Sequence, residues 1–145
     1  MYKRILLAYD GSEAGQKALL ECGELANWSA AEVVLVAVMP STMSFVGLEG
    51  GVYDIELEER ERKKFDAILR DGLARLESAG FPARGEVVMG EAIEEITKYA
   101  RRVQSDLIIV GHKHLDSWAA RWWRGSISGA LIEHAPCSVL VVILS

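Results

Sequence analysis

Short runs of Val, Ile and Leu alternate with helical patterns along this chain, and the alternation limits the folds that it can adopt. Brief, wholly apolar runs are typical of strands covered on both faces. Between them, apolar residues recur with the period of an amphipathic helix. The apolar runs occupy residues 5–8, 33–38, 86–88, 107–110 and 139–144. The predicted order of elements is therefore β-α-β-α-β-α-β-α-β.

This order is typical of α/β proteins. It predicts an open, Rossmann-like, five-stranded parallel sheet with right-handed crossovers and helices on both faces. In such folds, ligands bind beyond the carboxyl ends of the strands, near the point where the strand order reverses. Those ends fall at residues 9–12, 39–40 and 111–114. A functional site is expected there.

Composition restricts the number of domains and the classes of partner that we expect. The chain has 145 residues, of which 50% are hydrophobic and 26% charged, so we expect one domain over residues 1–145. Its net charge of −5 argues against a nucleic-acid partner. The apolar run at residues 5–9 is too short for a signal sequence or a membrane span. We expect a cytoplasmic protein without a membrane partner, whose Cys22 and Cys137 are small hydrophobic residues rather than a disulfide.

Several nucleotide-binding and catalytic motifs are missing. The first strand is not followed by GxGxxG, and neither GxxxxGK[ST] nor GxSxG occurs. No Ser/His/Asp or Cys/His set converges on the strand ends, so we do not expect an enzyme, although slow ATP hydrolysis stays open. His112 and His114 form an HxH pair without a recognisable third ligand, and we expect no metal site.

A phosphate site is predicted near residues 111–126, where Gly125 and Ser126 precede a short helical pattern that Pro136 ends. Ser126 is a favourable N-cap, so the free N–H groups of the helix start face the carboxyl edge of the sheet. Such helix starts attract anions. The segment is therefore a candidate anion clamp.

Three segments carry a family resemblance: ILLAYDGSE from Ile5, DLIIVG from Asp106, and GSISGALIEHAPCSVLVV from Gly125. With them the chain resembles the universal stress proteins of the UspA type over essentially its whole length. The resemblance implies a parallel sheet with strand order 3-2-1-4-5 and a homodimer. It also implies ATP binding in those members that carry the motif G-x2-G-x9-G-[ST].

The resemblance assigns four residues to the nucleoside. Asp10 hydrogen-bonds the adenine edge, with help from the Val38 backbone. The Ala8 carbonyl and Gly111 approach the ribose. For Asp10, a plain role in an Asp-Gly turn before a helix is equally compatible with the sequence.

The phosphate half of the motif departs from the family pattern. The backbones of Gly125, Ser126 and Ile127 are expected to hold phosphate, and Gly111 fits the first glycine. However, His114 stands at the position of the second glycine. Between His114 and Gly125 there are ten residues instead of the nine of the family pattern. Loss of one charge-assisted hydrogen bond costs roughly 1.5–3 kcal/mol, so we expect weakened rather than abolished binding.

Two functions follow from the resemblance. In the first, the chain is a cytoplasmic stress protein that holds ATP, ADP or AMP as a regulatory ligand, with Mg²⁺ brought by the phosphates. In the second, it is a dimeric interaction module that has lost the nucleotide. In both, the uncharged apolar segment 138–144 lies at the sheet edge and pairs with its copy in a homodimer.

Overall fold

A computed structural model describes residues 1–41, 55–113 and 127–144, with only the backbone for residues 127 and 128. The strands are β1 (Arg4–Ala8), β2 (Glu32–Met39), β3 (Ala83–Met89), β4 (Leu107–Lys113) and β5 (Ser138–Leu144). The helices are α1 (Glu13–Ser29), α2 (Ile55–Ser78), α3 (Ala92–Val103) and α4 (Ile127–His134). Their order is the predicted one.

The strands form a parallel sheet in the order β3-β2-β1-β4-β5, which confirms the predicted fold class. The central strand β1 carries alternate side chains to the two faces. Leu7 packs with α1 and α2 in one hydrophobic cluster, whereas Leu6 packs with α3 and α4 in the other. Both side chains are fully buried. Burial on both faces explains why the inner strands are continuous apolar runs.

The edge strands differ from the prediction that every run is covered on both faces. β3 has no fully buried residue, and in β5 only Val142 is buried. β3 also begins earlier than the run at 86–88 because Ala83, Arg84 and Gly85 pair with β2 despite their polarity or small size. An edge strand pairs on one side only, so its polar residues stay in contact with water.

Both cysteines are free thiols, as predicted. Cys22 is buried under the sheet, and burial raises the pKa of its thiol to about 12. Cys137 is half-buried. Among the described helices, none combines the length and apolar character that a bilayer crossing requires.

Candidate functional site

At the carboxyl edge of the sheet, strand β1 ends before both of its neighbours, and the region above its end is called the carboxyl-edge recess. Ala8, the last residue of β1, is level with Val36 on one side and Val110 on the other. β2 continues beyond that level through residues 37–39, and β4 continues through residues 111–113. β1 is the strand at which the order reverses, so this carboxyl-edge recess lies where ligands bind in open α/β sheets.

Two predicted site residues border the recess from the strands. Ala8 and Val38 are half-buried and pack against the hydrophobic cluster of α3 and α4. Val38 lies two residues beyond Val36, the register partner of Ala8, so both side chains point to the same face of the sheet. The structure thus brings these two residues to one side of the recess.

Asp10 lies just beyond the end of β1 and is exposed. Its Oδ1 accepts hydrogen bonds from the Ser12 N–H at 3.0 Å and the Ser12 hydroxyl at 2.6 Å. Gly11, between them, has a φ of 80°, which favours glycine. The Asp-Gly turn is therefore present. In the described chain no hydrogen bond engages the second carboxylate oxygen, so the turn leaves Oδ2 able to accept from a ligand.

Ser12 also begins helix α1. Its extended backbone places it at the N-cap, where its hydroxyl oxygen accepts from the Gly15 N–H at 3.0 Å. Gly15 is packed so closely that a Cβ there would lie 2.8 Å from Asp10 Oδ1. The orientation of the Asp10 carboxylate is thus fixed by the first turn of α1.

Tyr9 anchors the end of β1 to helix α2. Its side chain is only 2% exposed, and its hydroxyl donates to Asp71 Oδ2 at 2.9 Å. Arg75 forms an ion pair with the same oxygen at 2.9 Å. Burial and then the bond to Asp71 raise the pKa of Tyr9 to about 12, while the bonds from Arg75 and Tyr9 lower the pKa of Asp71. The backbone next to Asp10 is therefore anchored to helix α2 through the Tyr9 side chain.

Gly111 lies within β4, level with Val142 of β5, although the apolar run that predicts this strand ends at residue 110. The loop begins only after Lys113 because pairing with β5 continues to that residue. A Cβ on Gly111 would lie 2.2 Å from the Ala14 carbonyl oxygen. The close approach of α1 to β4 therefore requires a glycine here, independently of any ligand.

The phosphate half of the predicted site is described in part. His114, Gly125 and Ser126 lie outside the described residues. Helix α4 begins at Ile127, the position that an N-cap at Ser126 predicts. Because α4 follows β4 and precedes the parallel strand β5, its amino end lies at the carboxyl edge of the sheet.

Sequence reasoning misses two side chains at this edge. Ser12 stands out only as part of a family segment, although a serine two residues after an aspartate is the pattern of an Asx turn. In the sequence, Tyr9 only extends the apolar run at residues 5–8, so it does not stand out as a site residue. Its bond to Asp71 joins residues 62 positions apart, and no local pattern indicates it.

Three comparisons relate the chain to known proteins. The sequence pattern of the universal stress protein family matches residues 1–142. A putative universal stress protein of Staphylococcus epidermidis is 33% identical over 144 residues, which cover 97% of this chain and 84% of the relative. A crystal structure from the same family in Burkholderia pseudomallei is 27% identical, with a TM-score of 0.76 and coverage of 97% of this chain and 96% of that one.

A more distant solved structure shares the fold. It is a universal stress protein family protein of Arabidopsis thaliana with AMP bound, at 17% identity and a TM-score of 0.70, and the similarity covers 99% of this chain and 92% of that one. The fold, the strand order and the match over residues 1–142 agree, and this chain belongs to the universal stress protein family.

Proposed function

We propose that this chain binds an adenine nucleotide, ATP, ADP or AMP, in the carboxyl-edge recess and uses it as a regulatory ligand rather than a substrate. The observation that carries the proposal is that β1, the strand at which the order reverses, ends before both of its neighbours. The AMP bound to the Arabidopsis protein of the same fold supports the ligand class.

The nucleoside is held by the strand ends. Asp10 Oδ2, an exposed acceptor, takes a hydrogen bond from the adenine amino group, and the Val38 backbone adds a further contact. The Ala8 carbonyl and the Gly111 backbone approach the ribose. Because Ser12 already occupies Oδ1, the carboxylate presents one oriented acceptor, which suits an amino group better than a carbonyl oxygen.

The phosphates lie at the start of α4. Free N–H groups and the positive end of the helix dipole favour an anion there, with the Ile127 backbone joined by Gly125 and Ser126. His114, at the motif's second position, is the further residue that we assign to the phosphates. Mg²⁺ comes with the phosphates and is held by them. No residue of the recess is assigned as a base for an attacking water, and we propose no catalysis.

Nucleotide analysis of the purified protein tests the proposal. Denaturation is expected to release an adenine nucleotide, and calorimetry with ATP, ADP and AMP is expected to give saturable heat. Gly125→Val is expected to weaken binding because a β-branched side chain intrudes on the phosphate, whereas Ser126→Ala costs only about 1 kcal/mol as a lost cap. No released nucleotide together with no heat at millimolar ATP contradicts the proposal.

Restoring the family motif gives a converse test. His114→Gly, combined with deletion of one residue between 115 and 124, recreates the spacing G-x2-G-x9-G-[ST]. The restored chain is expected to bind ATP more tightly, by about ten- to a hundredfold if one charge-assisted hydrogen bond returns. An unchanged dissociation constant would place the phosphates elsewhere.

A second function rests on the edge strand. Leu140 and Ile143 of β5 are 38% and 40% exposed, and in the described chain β5 pairs with β4 alone. We propose that β5, residues 138–144, pairs with its copy in a homodimer, because open backbone groups and exposed apolar side chains are then covered together. If the nucleotide tests fail and the dimer is found, the chain is an interaction module of the same fold.

A further inference from the structure

A cavity of about 410 Å³ opens at the amino edge of the sheet, the edge opposite the recess. Three arginines from three separate elements line it: Arg4 at the start of β1, Arg84 in β3 and Arg102 in α3. Tyr99 and Gln104, near the carboxyl end of α3, also line this cavity. This amino-edge cavity has a volume within the range of small-molecule sites.

Glu32 holds two of the arginines by their inner nitrogens. Its Oε2 accepts from Arg4 Nε and its Oε1 from Arg84 Nε, each at 2.9 Å. The bonds from Arg84 and then Arg4 lower the pKa of Glu32. Because Glu32 binds the Nε atoms, it leaves the terminal Nη groups of Arg4 and Arg84 for other partners. Within the described chain, the terminal nitrogens of Arg84 donate no hydrogen bond to the protein.

The third arginine is held by an aromatic ring. The Arg102 guanidinium lies 4.7 Å from the centroid of the Tyr99 ring, and its Nη2 pairs with Glu86. Tyr99 is only 5% exposed, so this platform is rigid. Burial raises the pKa of Tyr99, and the charge of Arg84 acts in the opposite direction. Arg84 and Tyr99 line the same cavity.

The charged side chains of this cavity carry a net positive charge. Arg4, Arg84 and Arg102 carry three positive charges, and Glu32 and Glu86 carry two negative ones, so the cluster is at 3 − 2 = +1 on a chain of net charge −5. Within the described residues, the three guanidinium groups make three hydrogen bonds and one further ion pair with the protein: two hydrogen bonds from Arg4, one from Arg84, and the ion pair of Arg102 with Glu86. A guanidinium has five N–H donors, so most donors of the cluster remain for a ligand.

We propose that the amino-edge cavity binds a small molecule through a phosphoryl group. A carboxylate offers two oxygens in one plane, which a single arginine fork satisfies. A phosphoryl group has three outer oxygens in a tetrahedral arrangement, which can accept from arginines that line the cavity from three separate elements. The Tyr99 hydroxyl and the Gln104 amide supply neutral donors for the remainder of the ligand.

This site is separate from the nucleotide site. Arg4 and Ala8 mark the two ends of β1, and four residue steps span about 13 Å. The proposal therefore does not depend on nucleotide binding at the carboxyl edge. It predicts two ligands on one sheet, one at each end of the central strand.

Inorganic pyrophosphate is the probe. Added to ¹⁵N-labelled protein, it is expected to shift the Nε–H signals of Arg4, Arg84 and Arg102, but not that of Arg75, which pairs with Asp71 on α2. Arg84→Gln and Arg102→Gln are each expected to weaken pyrophosphate binding about tenfold, the loss of one charge-assisted pair. Arg75→Gln is the matched control and should bind as the unmodified protein does.

A further variant separates the effect of charge from that of geometry. Arg84→Lys retains the charge and the fold but not the fork, and it should also bind more weakly than the unmodified chain. The proposal is overturned if the three arginine signals do not move at millimolar pyrophosphate, if Arg84→Lys binds equally well, or if Arg75→Gln weakens binding as much as Arg84→Gln does.

Discussion

Ser12 donates two hydrogen bonds to one oxygen of Asp10, from its backbone N–H at 3.0 Å and from its hydroxyl at 2.6 Å. The same hydroxyl oxygen accepts from the Gly15 N–H and caps helix α1. One side chain therefore both starts the helix and orients the carboxylate that is proposed to meet the base. Stability and ligand binding are coupled at this residue.

Ser12→Ala tests that coupling. Loss of the N-cap is expected to lower the free energy of unfolding by about 1 kcal/mol, measured by urea denaturation. With one of its two hydrogen bonds lost, the Asp10 carboxylate is less constrained, and AMP affinity is expected to fall several-fold by calorimetry. Ser12→Thr keeps the hydroxyl and should restore both quantities. If Ser12→Ala destabilises the chain but binds AMP as tightly, the serine caps α1 without positioning Asp10.

Gly111→Ala separates packing from ligand binding. The added Cβ would meet the Ala14 carbonyl oxygen at 2.2 Å and its carbon at 2.4 Å, and backbone atoms of this kind can move only with the whole helix. We expect α1 and β4 to be forced apart, at a cost of about 1–3 kcal/mol or more in thermal or urea unfolding.

Gly80→Ala is the control for Gly111→Ala. Gly80 has a φ of 89°, and a Cβ added there would have no atom within 4 Å, so its substitution costs only backbone strain, about 1–2 kcal/mol. Gly111 has an ordinary backbone conformation, and its cost is steric. A fully stable Gly111→Ala protein with weakened AMP binding would instead assign this glycine to the ligand.

The order of elements was predictable because burial determines the composition of the inner strands. Residues 5–8 and 107–110 are apolar throughout, since helices cover them on both sides. The bounds of β3 were not predictable in the same way. Ala83, Arg84 and Gly85 form no apolar run, and only their pairing with β2 makes them part of the strand.

The site was predictable as a place but not as a set of contacts. The alternation of strands and helices indicates the carboxyl edge, and Asp10 follows from its position there. The steric need for Gly111 arises from Ala14, which lies far away in sequence and approaches only when α1 folds back on β4. Likewise, Arg4, Arg84 and Arg102 share a cavity through three crossovers, a relationship that no local spacing records.

Tyr9→Phe is expected to change the alkaline stability of the chain. The pKa of Tyr9 is raised from 10.0 to about 12, so above pH 10 the unfolded chain releases a proton that the folded chain retains. The stability that depends on the neutral phenol is fully present below pH 10 and is lost as the pH rises toward 12. At pH 11 the loss is about 1.4 kcal/mol.

Urea denaturation of both proteins at pH 8 and pH 11 measures this effect. At pH 8, Tyr9→Phe should be less stable by about 1 kcal/mol because the bond to Asp71 is missing. At pH 11 the difference should vanish or reverse, since phenylalanine has no proton to lose. A difference that is equal at both pH values would show that the Tyr9 pKa is not raised by folding.

Strand β5 has both an engaged backbone acceptor and exposed apolar side chains. Lys17 Nζ of α1 donates to the Ile143 carbonyl at 2.8 Å, so one acceptor of the strand is already engaged, while Leu140 and Ile143 remain exposed. Val142 is only 8% exposed and packs in the core, and Val141 packs on the opposite face, so a charge at either position tests folding rather than assembly.

Leu140→Lys and Ile143→Lys are therefore the informative variants for the proposed homodimer. Each places a charge on an exposed position of β5, and like charges repel across a two-fold axis, so both proteins should sediment as folded monomers at micromolar concentration. Ile55→Lys is the matched control, because Ile55 is 61% exposed on α2, the helix that packs on β2 and β3. This variant should remain a dimer. A monomeric unmodified protein, or a dimer that persists in both β5 variants, would show that residues 138–144 do not form the interface.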